Sequence, residues 1–459
     1  MSILYIIVFL IALIIVIILV GGPRASRSSH TAQDLSPVPS LKLTPEMISF
    51  ISGMPKTALH MHLEGSLEPE MAFANAQKYN MLPLKVPKSG GGTSSVKTLD
   101  DLKKVYNFND LESFLNVYNL LATTLKKKED FTALAYAYCK KAMSENIQHA
   151  EIFFDPQTHT ARGLSFADVV DGIQDGLQRG RNEGMSIQLI CSFLRDHKVG
   201  SASDTGEINK AVGKDPTAWT TVKQAVAYNA TTQKPGGSPD GRKPNYSIVG
   251  MGLDNNEVGF PPALFVDVYA YGRKNGMFAV AHGGEEGPPS YIWNCIDKLK
   301  CIRIDHAVRV VEDPGLISYM STPQTKPEII QFFQVPHLLP ATVCPLSNYK
   351  LDVFPDPTRT NIVEMLDLGL MATVNSDDPA YFGGYVTENY IFLLKSLNSK
   401  SAKGRPVDLA DIRRMVINGF HASVLPMEEK LAYISSVNNY FLKNPGNLYK
   451  SFSTKYKNK

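Results

Sequence analysis

The sequence predicts an α/β fold: a (β/α)8 barrel with insertions, preceded by an N-terminal transmembrane helix. Three observations carry that expectation. Eight short apolar runs, each ending in polar or glycine-rich residues, alternate with longer stretches of helical spacing, as buried parallel strands alternate with their crossover helices. No G-x-G-x-x-G turn follows the first run, which favours a closed barrel over a doubly wound dinucleotide fold. Residues 3–20, "ILYIIVFLIALIIVIILV", carry no charge over eighteen positions, close to the ~20 residues that span a bilayer as a helix.

Residues 1–22 read as an uncleaved anchor, because a signal peptide usually opens on basic residues and has a shorter apolar run. The nearest basic residues, Arg24 and Arg27, follow the run. The positive-inside rule then predicts a single-pass, membrane-anchored protein with its catalytic domain in the cytoplasm. Sequons at Asn229 and Asn245 would matter only on the lumenal side. Residues 23–44 are rich in Ser, Pro and Gly and read as a linker. The folded domain, 45–459, begins at Thr44-Pro45-Glu46, a helix cap with Pro at the first helical position.

Within that domain the apolar runs start at Thr57, His149, Ser186, Ser247, Met277, Cys301, Ala341 and Met371. Between them, "LESFLNVYNLLATTL" (111–125) and "FVDVYAYGRKNG" (265–276) have helical spacing. Two segments depart from the alternation. "KVPKSGGGTSS" (85–95) reads as a loop, and 197–245 reads as a polar excursion with one helix around 219–229. The composition, 44% apolar and 20% charged, is that of a globular chain. A net charge of +3 is too small to argue for nucleic acid. Five scattered cysteines with no Cys-x-x-Cys argue against a disulfide framework and a cysteine zinc site. No protein partner is predicted.

His60 and His62 close the first run. Side chains alternate along a strand, so the two imidazoles aim at one point, as a metal ion with nitrogen ligands requires. Alone, such a pair fits a buried core histidine beside a loop histidine as well. Other residues share the position: His60, His62, Asp155, Glu257, His282, Glu285, His306, Asp377 and Asp378 all lie at or just past the C-terminal ends of the runs. Barrels of this kind build their active sites at that face, and core histidines have no reason to choose one end.

Taken in order, "HMHLEGSLEPE", "AHGGEEG", "RIDHAV", "VCPLSN" and "NSDDPAYFGGYV" resemble the adenosine/adenine deaminase family of zinc hydrolases. The resemblance runs from about residue 45 to 445, through a late helix at "HASVLPMEEK". It implies one Zn2+ per chain, held by His60, His62, His282 and Asp377, with a small-molecule purine as substrate. Gly283 stands where the family more often has alanine. It also implies that Glu285 is the acid that protonates purine N1 and that His306 orients and helps deprotonate the attacking water. Asp378 would hydrogen-bond that water or the purine. "LEGSLEPE" and "DDPAYFGGYVTENY" look like the branch that acts on free adenine, releasing hypoxanthine and ammonia. Glu64 stands where adenosine-specific members carry Asp, and would push a carboxylate into the ribose space. Glu257, in "GLDNNEVGFPP", is expected at the purine edge. Two other readings stay open: an adenosine or N6-substituted adenine deaminase, and a non-catalytic, membrane-anchored purine-binding protein.

Overall fold

Eight strands pair in parallel, each with its successor in the chain. They are β1 (Lys56–Ala58), β2 (Ile147–Phe154), β3 (Ser186–Leu194), β4 (Ile248–Asp254), β5 (Phe278–Gly283), β6 (Arg303–His306), β7 (Pro340–Val343) and β8 (Met371–Val374). This is a computed structural model, describing residues 43–87, 92–106, 111–210, 212–213, 215–232, 246–398 and 404–443. Each strand coincides with one of the eight apolar runs, with β1, β2 and β7 starting one or two residues earlier than the run. The long strands are buried on both faces, as Phe153 and Phe154 of β2 and Leu189 and Ile190 of β3 illustrate, which is why they read as continuous apolar stretches rather than alternating ones.

Helices cover the outside. Phe166–Asn182, between β2 and β3, buries Phe166, Val169, Val170, Ile173 and Leu177, an apolar stripe at the helical period. The first described helix, Pro45–Gly53, starts where expected, with the Thr44 hydroxyl accepting from the Met47 amide at 3.3 Å. A helix spans Ala218–Thr232 inside the polar excursion. Asn229 is buried there and its amide donates to the Ile248 carbonyl at 2.8 Å, so it is not placed to carry a glycan; Asn245 lies outside the described residues.

Two local expectations change. Residues 85–95 are not simply a loop: Leu84–Pro87 and Thr93–Val96 form an antiparallel pair. Leu84, Val86 and Val96 are buried in it, an alternation too short to stand out beside the glycines. "HASVLPMEEK" is the junction of two helices, Leu409–Ala422 and Met427–Lys443, because Pro426 has no amide hydrogen with which to continue the first.

The membrane localisation is corrected. Among the described residues no helix is long and apolar enough to cross a membrane. The run 3–20, on which the anchor and the cytoplasmic orientation rested, lies outside those residues, as does nearly all of the 23–44 linker.

Candidate active site

The barrel is closed by the residues that carry its chemistry. After β1 the chain bends at His60 and then runs through Met61 and His62 between β2 and the segment following β8, Met61 bridging to Asp377 and His62 to Phe153. The His62 amide donates to the Asp377 carbonyl at 3.0 Å, and the Asp377 amide donates to the His60 carbonyl at 3.1 Å. On the other side the Phe153 amide donates to the Met61 carbonyl at 2.8 Å. Alternation across this seam buries Met61 in the core and turns both imidazoles inward.

His282, near the end of β5, completes the cluster. Its ring centroid is 4.7 Å from that of His60 and 5.3 Å from that of His62. Ligand nitrogens of the three histidines lie within 4.8 Å of one another. Asp377 Oδ1 is 3.4 Å from both His60 Nε2 and His62 Nε2. Asp377 and His306 adopt φ of +61° and +60°, a left-handed conformation uncommon outside glycine. Such strain persists where surrounding bonds over-determine it, as at functional sites.

Supporting contacts orient the histidines. Thr342 Oγ1 donates its one hydrogen to Asp305 Oδ1 at 2.7 Å, so it accepts from His60 Nδ1 at 3.1 Å. That assignment leaves the His60 Nε2 lone pair facing Asp377. Asp254 Oδ2 lies 3.4 Å behind His62 Nδ1. Arg195, fully buried, donates to the His282 carbonyl at 2.9 Å. Both His60 Nε2 and His282 Nε2 are buried without a hydrogen-bond partner, a loss that an ion accepting both lone pairs would remove. Burial, with His60, His306 and His62 beside it, pushes His282 well below the ordinary imidazole range, leaving it in the neutral form that binds metal. Burial alone would lower His60, but Asp377 outweighs it and holds His60 above its usual value. Asp377 is itself held well below the carboxylate range: the histidines His60, His306 and His62 overcome the effect of burial. The residues present therefore fit a cation.

Beside this cradle stands an acid. Glu285 Oε1 accepts from Asn348 Nδ2 at 2.9 Å, and Oε2 is 3.3 Å from His306 Nε2. Burial, followed by Asp377, Glu257 and Glu286, pushes Glu285 well above the carboxylate range. Burial drives His306 down to about 3, with His60 adding to the effect. Asn348 Nδ2 also lies 3.2 Å from His306 Nδ1, which makes Nδ1 the acceptor and puts the proton on Nε2, facing Glu285. Asp378 follows Asp377 in the chain. A Cβ on Gly65 would lie 2.1 Å from Asp378 Oδ1 and 2.6 Å from its Cα, so this close approach requires glycine in "HLEGS".

The cavity over these groups is walled by His62, His282, Glu285, His306, Asp377 and Asp378. Glu64 and Glu257, expected against substrate, do not line it. Both oxygens of Glu257 are taken by the backbone: Oε1 accepts from Gly284 at 2.7 Å, and Oε2 accepts from Glu285, Glu286 and Gly287 at 2.9–3.0 Å. Glu64 Oε1 accepts from His159 Nε2 at 2.7 Å and from the Asp155 amide at 3.2 Å, behind the wall rather than in a ribose space.

Four residues with a place in the site had no role assigned from sequence. Asn348 ends the "VCPLSN" motif, and Asp254 ends the fourth apolar run as Asp155 ends the second, so both carried a positional signal. Tyr118, from the helix Leu111–Ala122, donates to Asp155 Oδ2 at 2.9 Å; nothing in its spacing marked it. No described residue of the 197–245 excursion lines the cavity.

An eight-stranded parallel barrel with three histidines and an aspartate converging at its C-terminal mouth defines a metal-site hydrolase architecture. Comparison with known proteins makes the class specific. The adenosine deaminase family model matches residues 55–217 and 242–440. The chain is 39% identical over 389 residues to the adenine deaminase of Trichlorobacter lovleyi, covering 84% of this chain and 93% of that one. It is likewise 39% identical over 385 residues to the adenine deaminase of Crocosphaera subtropica, covering 84% and 98%. The crystal structure of adenine deaminase from Arthrobacter aurescens superposes with a TM-score of 0.66 at 30% identity, covering 85% of this chain and all of that one. An amidohydrolase from Burkholderia ambifaria, solved with bound zinc, shares the fold with a TM-score of 0.67 at 22% identity, covering 90% and 100%. This chain belongs to the adenosine deaminase family. The matched stretch makes up nearly the whole of these relatives.

Proposed function

We propose that the protein catalyses the zinc-dependent hydrolytic deamination of adenine to hypoxanthine and ammonia. The observation that carries this is the position of Glu285, a buried acid 3.3 Å from His306 and beside the three-histidine, one-carboxylate cradle, where burial raises its pKa well above the carboxylate range. A purine amidine is a poor electrophile until a ring nitrogen is protonated, and Glu285 holds the proton that N1 needs. His60, His62, His282 and Asp377 would hold the zinc, which when bound would acidify water and so supply the nucleophile near neutral pH. His306, neutral and oriented by Asn348 with its proton on Nε2, would donate to the reacting water and orient it. Asp378, whose Oδ1 has no protein partner, hydrogen-bonds the water or the purine. Glu64 and Glu257 support the wall and the acid-bearing loop from behind.

Adenine rather than adenosine is favoured by the named activity of the 39%-identical relatives and of the 30%-identical structural neighbour. The test is ammonia release from adenine, adenosine and an N6-methylated adenine, with metal analysis of the purified chain. Preferred turnover of adenine with one zinc per chain is expected, and activity should be lost on chelation. Preference for adenosine would overturn the substrate, and tight purine binding with no ammonia release would leave only the purine-binding reading.

A further inference from the structure

One part of the cavity wall is not used by this mechanism. Asp155 and Asp254, each 3% exposed, line the cavity beside His62, with ligand oxygens within 4.8 Å of one another and of that imidazole. Tyr118 occupies Asp155 Oδ2, whereas Asp155 Oδ1 and Asp254 Oδ1 are buried with no hydrogen-bond partner and Asp254 Oδ2 has only His62 Nδ1 at 3.4 Å. Unsatisfied acceptors in a water-poor site are expensive. They become favourable when a ligand brings N–H donors to them.

The geometry says which donor. Glu285 stands against His306, and the acid pair stands against His62. Between them lies His60, whose ring centroid is 4.6 Å from that of His306 and 5.5 Å from that of His62. A base with N1 at Glu285 and its amino-bearing carbon over the histidine cluster therefore turns its five-membered ring toward the acid pair. In a free base that ring carries an N–H; in a nucleoside the glycosidic bond replaces it.

We propose that Asp155, backed by Asp254, accepts the hydrogen bond of the imidazole-ring N–H and thereby selects the free base against nucleosides. The inference rests on the adenine deaminase reading and assigns specificity to Asp155 in place of Glu64. Asp155 is a substrate-binding residue here, and Tyr118 positions it by holding its other oxygen.

The probes are adenine, 9-methyladenine and adenosine, with kcat/KM measured on the full zinc-loaded chain and on Asp155→Ala. Loss of a hydrogen bond to a charged acceptor corresponds to roughly 10- to 100-fold, so the parent should disfavour 9-methyladenine by at least that factor. In Asp155→Ala, KM for adenine should rise by about the same factor, with kcat changed less and 9-methyladenine little affected, so the preference collapses. Competitive inhibition by hypoxanthine against 9-methylhypoxanthine should follow the same order in the parent, which decides the matter even where the variant does not fold. A parent that uses adenine and 9-methyladenine equally well overturns the inference while adenine deamination stands. A variant that loses kcat for both with their ratio unchanged overturns it too, assigning Asp155 to structure. A parent that prefers adenosine brings down the functional reading itself.

Discussion

Glu285 must do what a carboxylic acid in water does not: keep its proton near pH 7. Its surroundings favour this, since it is buried and faces Asp377, Glu257 and Glu286, and both desolvation and like charges disfavour the anion. Glu285→Gln preserves shape and the contact to Asn348 but removes the proton. Zinc content should therefore be unchanged while kcat falls by about 10²–10⁴-fold. The sign of the pH dependence follows. The folded pKa is raised and the protonated form is active, so activity should hold at lower pH and decline as pH rises through that value. The glutamine variant should lack this basic limb; one that keeps parental turnover removes Glu285 from the mechanism. At this scale the sequence was readable for a reason. His282 lies near the end of β5, and His60, His62 and Asp377 follow β1 and β8 within four residues, where backbone hydrogen bonds between the two segments hold them at the barrel mouth. Glu64 opens a 3-10 turn and Glu257 lies in a loop, where position along the chain says nothing about which way a carboxylate turns. Glu257 turned onto four amides and Glu64 onto His159, contacts made by residues up to 95 positions away in the chain.

The loop 284–287 is an element whose shape one side chain sets. Four successive amides converge on the Glu257 carboxylate, with Gly284 at φ +74° turning the chain out of β5. Glu257→Gln has one acceptor oxygen in place of two and no charge, so part of the nest opens and Glu285 loses its register against Asn348. Supporting contacts of this kind are worth about 10- to 100-fold in activity or metal affinity. We expect kcat to fall by that factor with KM for adenine nearly unchanged, since Glu257 does not reach the cavity, and partial recovery in Glu257→Asp. A rise in KM with kcat intact would instead put Glu257 against the purine. Elements were legible wherever periodicity decided them, as with all eight strands. The wall formed by the helix Leu111–Ala122 was not, because its spacing marks a helix and a buried face but does not say that Tyr118 meets Asp155.

Across the molecule, the barrel interior below the site is tied together by a buried ion network. Arg303 of β6 donates to Glu151 of β2 at 2.6 Å and to the Leu59 carbonyl after β1 at 3.1 Å. Glu151 also accepts from the Val424 amide at 2.7 Å and lies 3.1 Å from His149 Nε2. Burial alone would raise the Glu151 pKa, but Arg303 and His149 bring it down to about 2. Glu151→Gln takes from Arg303 its closest carboxylate and leaves only Asp305 at 3.8 Å, and breaking a buried pair costs up to about 3–5 kcal/mol. The thermal midpoint should drop clearly while kcat, measured well below it, stays near parental; an unchanged midpoint would show that the pair contributes no net stability.

The chain ends define how much of the sequence this fold needs. Helix Pro45–Gly53 packs on the last described helix: Phe50 meets Tyr440 and Phe441 at centroid distances of 5.1 Å, and the Tyr440 hydroxyl donates to the Phe50 carbonyl at 2.9 Å. The same helix end receives Lys56 of β1, whose buried ammonium donates to the carbonyls of Ile51, Ser52 and Met54 at 2.8–3.0 Å. Burial lowers that Lys56 pKa to about 7, so the contacts compensate a charge that is otherwise poorly solvated. We therefore propose that the catalytic domain begins at residue 45 and that residues 1–40 contribute nothing to it. A chain starting at Leu41 should match the full chain in kcat/KM and thermal midpoint. A chain starting at Lys56 should not, although it retains every site residue. It removes Met47, Phe50 and Ile51 from the core, each worth about 1.5–3 kcal/mol, and leaves Lys56 without its carbonyls. Equal stability of the two truncated chains would refute the structural role of this helix, and loss of activity on removing residues 1–40 alone would refute the domain boundary.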